Sequence, residues 1–203
     1  MGTSDSSLQK MVKSIKEIMK IEEGLDILKQ HRDLTQKWAD SIALAITKVL
    51  VEHPETRKKL IVIYGGNAQR EIKRLTEKLK KWYLQAVSGN LDERFWRYQW
   101  YIGALIHAKH QIPGLYMLGA INAMLDKFMD LAIENLGPEE GLKLYRAFKN
   151  IAMGTAAALA EAYRTFYLET ICEASGLSAK LLNNMVGLII DEKLKELLGR
   201  RDQ

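Results

Sequence analysis

Three prolines stand among the 203 residues, at positions 54, 113 and 138. An average chain of this length holds roughly ten. Proline breaks a helix interior but is tolerated in its first turn, where the missing N–H costs nothing. Each proline here precedes an apolar-periodic run, so the chain reads as long helices with few forced stops. The hydrophobic period agrees. Leu8, Met11, Val12, Ile15, Ile18 and Met19 fall at helical steps, which makes one apolar stripe.

Composition narrows the class. Hydrophobic residues at 47% and charged residues at 27% describe a chain that buries a core rather than a disordered one. The net charge of +5 is mild, and the 30 basic and 25 acidic residues are interspersed. No nucleic-acid motif accompanies them, so no nucleic-acid partner is expected. Cys172 is the single cysteine. It excludes an internal disulfide, a C-x-x-C pair and a cysteine-rich metal site, and suits a reducing compartment. The longest run without a charge, residues 111–125, contains Pro113 and two glycines and falls short of the ~18 residues that span a bilayer. The polar start Met1–Ser7 lacks a signal-peptide core. Gly2 and Ser6 match a short myristoylation pattern that a frayed tail matches equally well. The expectation is a cytoplasmic protein with no membrane partner.

Read along the chain, a first helix is expected to be capped by Ser6 or Ser7 and to end at Gly24. A second runs from about 33 to 52 with Leu34, Trp38, Ile42, Ala45 and Val49 on one face. Pro54 opens a short helix, and Gly65-Gly66-Asn67 reads as a loop. The run Leu60–Tyr64 is short and apolar but has no strand partner elsewhere. Helices then span about 68–87 and 92–110, the first with Lys73, Arg74, Lys80 and Lys81 on a solvated face. Pro113 starts a long apolar helix ending near Gly137, and Pro138 starts another reaching Cys172 or beyond. Gly176 breaks it, Ser178 caps a last helix, and Gly199 ends that one. No internal repeat appears. The fold class is all-α.

Most catalytic motifs are missing: there is no G-x-S-x-G, P-loop or G-x-G-x-x-G. No glutamate stands three residues before a histidine, as a helical di-iron site requires. His31 and His53 sit in polar surroundings near helix ends. His107 and His110 lie three apart on one helical face, after the apolar Gly103-Ala104-Leu105-Ile106. Locally, three readings of His107 stand: a satisfied core histidine, a zinc ligand lacking obvious partners, and an axial ligand to haem iron.

The wider pattern bears on that choice. His107-Ala108-Lys109, Ile112-Pro113 and Tyr116-Met117-Leu118-Gly119-Ala120 follow in order. Upstream stand His53-Pro54-Glu55-Thr56-Arg57 and Ser88-Gly89 with Asp92 and Phe95; downstream stands Ala160-Glu161-Ala162-Tyr163-Arg164. This series, over about residues 25–164, resembles the globin-coupled sensor and protoglobin family. The resemblance implies a globin-like fold with an extra N-terminal and an extra C-terminal helix. The divisions would be an N-terminal helix (1–24), a globin domain (25–172) and a C-terminal helix and tail (173–203).

It further implies haem b as cofactor, with His107 ligating the iron. A neutral imidazole binds iron through one nitrogen and donates the other N–H to an acceptor. His110, one turn on, would meet a haem propionate or lie at the surface. Where relatives carry a distal tyrosine, seven residues before the Pro-Glu pair, this chain has Thr47. Leu75, Leu79 and Trp82 share one helical face and would line the distal wall, with Lys78 where some relatives have a threonine. The family's tyrosine beside the proximal histidine falls on Met117, next to Tyr116. The interval from Gly89 to His107 is one residue longer than the family's, which predicts a one-residue bulge before His107. The implied function is reversible binding of a diatomic gas (O2, CO or NO) by a sensor or carrier. The implied assembly is a homodimer through helices 113–136 and 138–172. The residues after Arg164 are too few for a kinase, cyclase or chemotaxis module. Two alternatives stay open: a haem-free globin-fold signalling scaffold, and a haem enzyme consuming NO or peroxide.

Overall fold

The computed structural model describes residues 5–64 and 68–199. Its elements are α1 (Asp5–Ile18), α2 (Ile21–Gln30), α3 (Arg32–Lys37), α4 (Ala39–Glu52), α5 (Pro54–Tyr64), α6 (Ala68–Ala86) and α7 (Glu93–Tyr101). A π-helical segment (Ile102–Ala108), α8 (Gly114–Ser175) and α9 (Ala179–Gly199) follow. No strand occurs among the described residues, and Leu60–Tyr64 completes α5 instead. No described helix is long and apolar enough to cross a membrane. The expected Gly65-Gly66-Asn67 loop and the Gly2 motif lie outside the described residues.

Several stops follow local chemistry. Pro54 is the first residue of α5. The Asp92 carboxylate accepts from the Phe95 N–H at 2.9 Å and caps α7. Gly176 takes φ 71° and closes α8, as a left-handed C-terminal glycine does. The Ser178 hydroxyl then accepts from the Leu181 N–H at 3.3 Å. Gly137, at φ 78° and ψ 170°, splits α8 into two arms, and Pro138 opens the second.

Two expectations gave way to packing. The first helix stops at Ile18, and Gly24 lies inside α2, fully in the core. A β-carbon on Gly24 would stand 2.8 Å from the Ala147 Cβ, so the glycine serves close helix contact rather than termination. The helix begins by Asp5, which puts Ser6 and Ser7 within it. Likewise the expected 33–52 helix breaks at Trp38, between α3 and α4. The buried side of α4 is Ile42, Ala43, Ile46 and Thr47, while Val49 is exposed.

The core is aromatic. Phe128 and Phe148, one from each arm of α8, stack with centroids 4.1 Å apart. Trp38 meets the edge of Phe128 at 5.3 Å, and Tyr83 of α6 meets Phe148 at 5.5 Å. The Tyr83 hydroxyl donates to the Thr35 carbonyl at 2.9 Å, satisfying a fully buried phenol. One aromatic cluster thus ties α3, α4, α6 and both arms of α8. The second arm of α8 also packs on α2, α7 and the π-helical segment, leaving a hollow between that segment and α6.

Candidate functional site

The hollow holds the chemistry. It is a cavity of about 390 Å³, within the size range of small-molecule and cofactor sites. Ile46 and Leu50 of α4, Leu75, Leu79 and Trp82 of α6, and Met117, Ile121 and Met124 of α8 form most of its apolar wall. Its polar members are few: Thr56, Lys59, Lys78, Tyr98, Gln99, Tyr101, His107, Tyr116 and Thr155.

His107 comes to this wall from the π-helical segment. Its carbonyl accepts from the Ile112 N–H at 2.9 Å, a five-residue step where an α-helix takes four. One inserted residue in a helix produces such a wide turn, and such turns concentrate at functional sites. The surplus residue before His107 is thus absorbed without breaking the helix. Gly103, one turn earlier, lets this segment lie against α8: a β-carbon there would stand 2.5 Å from the Leu159 carbonyl oxygen. Lys59 of α5 closes the other end. Its ammonium donates to the carbonyls of His110 at 3.1 Å and Gln111 at 2.9 Å, the preferred charge at a helix C-terminus. Gln111 itself takes φ 48°.

Burial holds the His107 pKa below its ordinary value, because an apolar surround disfavours the charged ring. The ring is therefore neutral at neutral pH, with a free lone pair. A pH dependence follows from the same shift. The unfolded chain takes the proton near pH 6.5, before the folded chain does. The stability tied to this group is full above about pH 6.5 and declines as pH falls from there through the lowered folded value. Chemical denaturation of His107→Gln beside the wild type should show a smaller loss between pH 7 and pH 5 in the variant.

Seven residues singled out from sequence line the cavity: His107, Leu75, Lys78, Leu79, Trp82, Tyr116 and Met117. Two do not. Thr47 is buried, but its hydroxyl lies 2.8 Å from the Ala43 carbonyl and 3.0 Å from the Thr76 hydroxyl, which in turn lies 2.9 Å from the Ile72 carbonyl. Two hydroxyl protons serve three contacts there, so none is left to point elsewhere. His110 sits past the π-helical segment, beyond the cavity wall, where its carbonyl receives Lys59.

The structure adds Thr155, Gln99 and Lys59, which sequence reasoning passed over. Thr155 shares the phase of buried Phe148, Ile151, Ala152, Leu159 and Ala162; a polar residue on a buried helical face was the available signal. Gln99 is buried and donates to the Phe95 carbonyl at 3.2 Å.

A family model for protoglobin matches residues 8–169. The chain belongs to the protoglobin family. Among solved structures, the globin domain of a Geobacter sulfurreducens globin-coupled sensor is similar to this protoglobin. The TM-score is 0.64 at 19% identity, over 75% of this chain and 97% of that one. At that identity the likeness establishes the fold, a globin with added helices at either end. No curated protein matches the chain. α9 lies beyond the matched residues.

A globin cavity implies haem, and the residues of this protoglobin fit it. The wall is apolar, as a flat conjugated ring requires. The His107 ring offers a neutral nitrogen and has no hydrogen-bond partner among the described residues. Trp82 and Thr155 also line the cavity, and their buried Nε1 and Oγ1 atoms lack partners. Buried polar atoms without partners are costly in a folded chain. Lys59 and Lys78 supply positive charge suited to carboxylate substituents. Among the described residues no cluster of three or more His, Cys, Asp or Glu gathers for a bare metal ion.

Proposed function

We propose that this protoglobin holds haem b through His107 and binds a diatomic gas reversibly, as a sensor or carrier. The observation that carries the reading is the apolar cavity whose wall includes one neutral, unpartnered imidazole. When bound, the haem iron supplies an open coordination position for the gas. The chain does the rest. The π-helical segment presents the His107 ring to the cavity. Ile46, Leu75, Leu79 and Met124 exclude water, which slows oxidation of the ferrous form. Leu75, Leu79 and Trp82 of α6 line the same cavity and limit the space left for a ligand.

The test is a haem titration of the purified apoprotein. We expect one haem per chain, and a ferrous spectrum that shifts with CO. A chain that takes up no haem would instead favour a haem-free signalling scaffold. Rapid turnover of NO or peroxide by the loaded protein would favour an enzyme.

We further propose that a second copy covers α8. Leu115, Leu118, Leu142, Met153 and Tyr167 are exposed along it, and exposed apolar groups gathered on long helices are a common mark of an interface. Sedimentation at micromolar concentration should give a dimer; a monomer would remove this part of the reading.

A further inference from the structure

The turn after His107 is held from outside its own helix. The amides of His110, Gln111 and Ile112 donate back to the carbonyls of Ile106 at 3.2 Å, Ala108 at 3.1 Å and His107 at 2.9 Å. Residues 110–112 therefore grip the stretch of backbone that carries the imidazole. No helix runs on beyond them, because Pro113 is extended at ψ 139° and has no N–H. The carbonyls of such a last turn need a donor from elsewhere.

Lys59 of α5 supplies it. Its ammonium donates to the His110 carbonyl at 3.1 Å and the Gln111 carbonyl at 2.9 Å. Three N–H groups on one flexible stem make such a double contact easy. Gln111 holds φ at 48°, in the left-handed region that a residue with a side chain rarely keeps. Such a conformation persists when the surroundings fix it, and the Lys59 ammonium bridges the carbonyl of this residue and the one before it.

α5 also packs on α4 and α6, which give Ile46, Leu50, Leu75 and Leu79 to the cavity lining. The start of α5 has a separate anchor, since the rings of His53 and Tyr116 meet at 5.0 Å. Lys59 thus ties the His107 segment to the α4–α5–α6 part of the molecule, and its loss should leave α5 in place.

Resting on the haem reading above, we propose that Lys59 is a positioning residue for His107. Through the turn 110–112 it fixes the backbone of His107, and with it the angle at which the imidazole meets the iron. That angle governs how readily the iron moves when a gas binds or leaves. Lys59 therefore tunes gas release through the histidine.

The experiment compares full-length wild type with Lys59→Met, Lys59→Arg and Lys58→Met. Lys58 is exposed and does not line the cavity, so its variant controls for the charge removed. In the apoprotein, amide hydrogen exchange at Ile112 should be about three- to tenfold faster in Lys59→Met, the loss of a modest hydrogen-bonding contribution. Lys59→Arg and Lys58→Met should stay near the wild type. In the ferrous, haem-loaded protein, the iron–imidazole stretching band of the resonance Raman spectrum should shift and broaden in Lys59→Met and return in Lys59→Arg. Both changes are required. Faster exchange with an unmoved band would reduce Lys59 to a helix cap and overturn the positioning role. Unchanged exchange would also overturn it; if haem affinity then falls, Lys59 is instead the partner of a haem carboxylate. The same changes in Lys58→Met would reject any particular role for Lys59. If Lys59→Met fails to fold by far-ultraviolet circular dichroism, Lys59→Gln, which keeps a shorter donor, takes its place with the same outcomes. A wild type that takes up no haem is a separate result: it removes the haem reading, while exchange at Ile112 still reports on the clamp.

Discussion

Replacing His107 with alanine is expected to lower haem affinity by more than about 100-fold. Losing only a supporting contact to a metal-bound histidine typically costs 10–100-fold, and this change removes the ligand itself. The apoprotein should still fold. His107 is only half-buried, and its ring makes no hydrogen bond among the described residues, so truncation strands no partner. Far-ultraviolet circular dichroism should therefore match the wild type while the visible spectrum on haem addition does not. Free imidazole, small enough to enter the space left by the ring, should restore part of the ferrous CO spectrum. A variant with wild-type haem affinity and spectrum would remove His107 from the site and leave the cavity without an evident ligand.

The second large effect belongs to the core. Phe148→Ala is expected to destabilise the apoprotein by about 3–5 kcal/mol. Phe148 is fully buried, stacks on Phe128 at 4.1 Å and receives Tyr83 at 5.5 Å. Truncation loses the burial of a whole ring and leaves a cavity where four elements meet. The surrounding helices cannot collapse into it, because Trp38 and Tyr83 are held by their own contacts. In a chain of this length each kcal/mol shifts the melting temperature by roughly 2–4 °C, so the midpoint should fall by about 6–20 °C. Phe148→Leu keeps most of the volume and should cost about 1 kcal/mol. Urea denaturation of the apoprotein separates the two. A loss below about 1 kcal/mol for the alanine variant would show that the two arms of α8 are not coupled through this stack.

The two substitutions act on connected parts of the molecule. The phenylalanine stack couples α6, which carries Trp82, to both arms of α8. The second arm carries Thr155 and supports the His107 segment through Gly103 and Leu159. A core variant that remains folded should therefore loosen both cavity walls, whereas His107→Ala should change the haem spectrum alone.

The amino-acid sequence was enough to determine the all-α class and most of the breaks. Those depend on local chemistry: proline in a first turn, a left-handed glycine after a last turn, a serine or aspartate cap. It also singled out His107, because a histidine after an apolar run in an ordered series of family motifs is a local pattern. The surplus residue before His107 was legible as a count. Its form, a π-helical turn rather than a break, depended on how Gly103 seats against α8.

Tertiary structure decided the rest, because the deciding contacts join residues far apart in the chain. Gly24 obeys the local rule for a helix end until Ala147 packs against it, and close contact then outweighs the cost of glycine in a helix. Thr47 had the right position to face the cavity, but the Ala43 carbonyl and Thr76 hydroxyl claim it. A hydroxyl turns to whichever partner is nearest, and helical periodicity marks only which face is buried, not what that face meets. Trp82, from the same periodicity, was one more apolar residue. Only the assembled fold brings it to the lining of the same cavity as His107 and leaves its N–H buried without an acceptor.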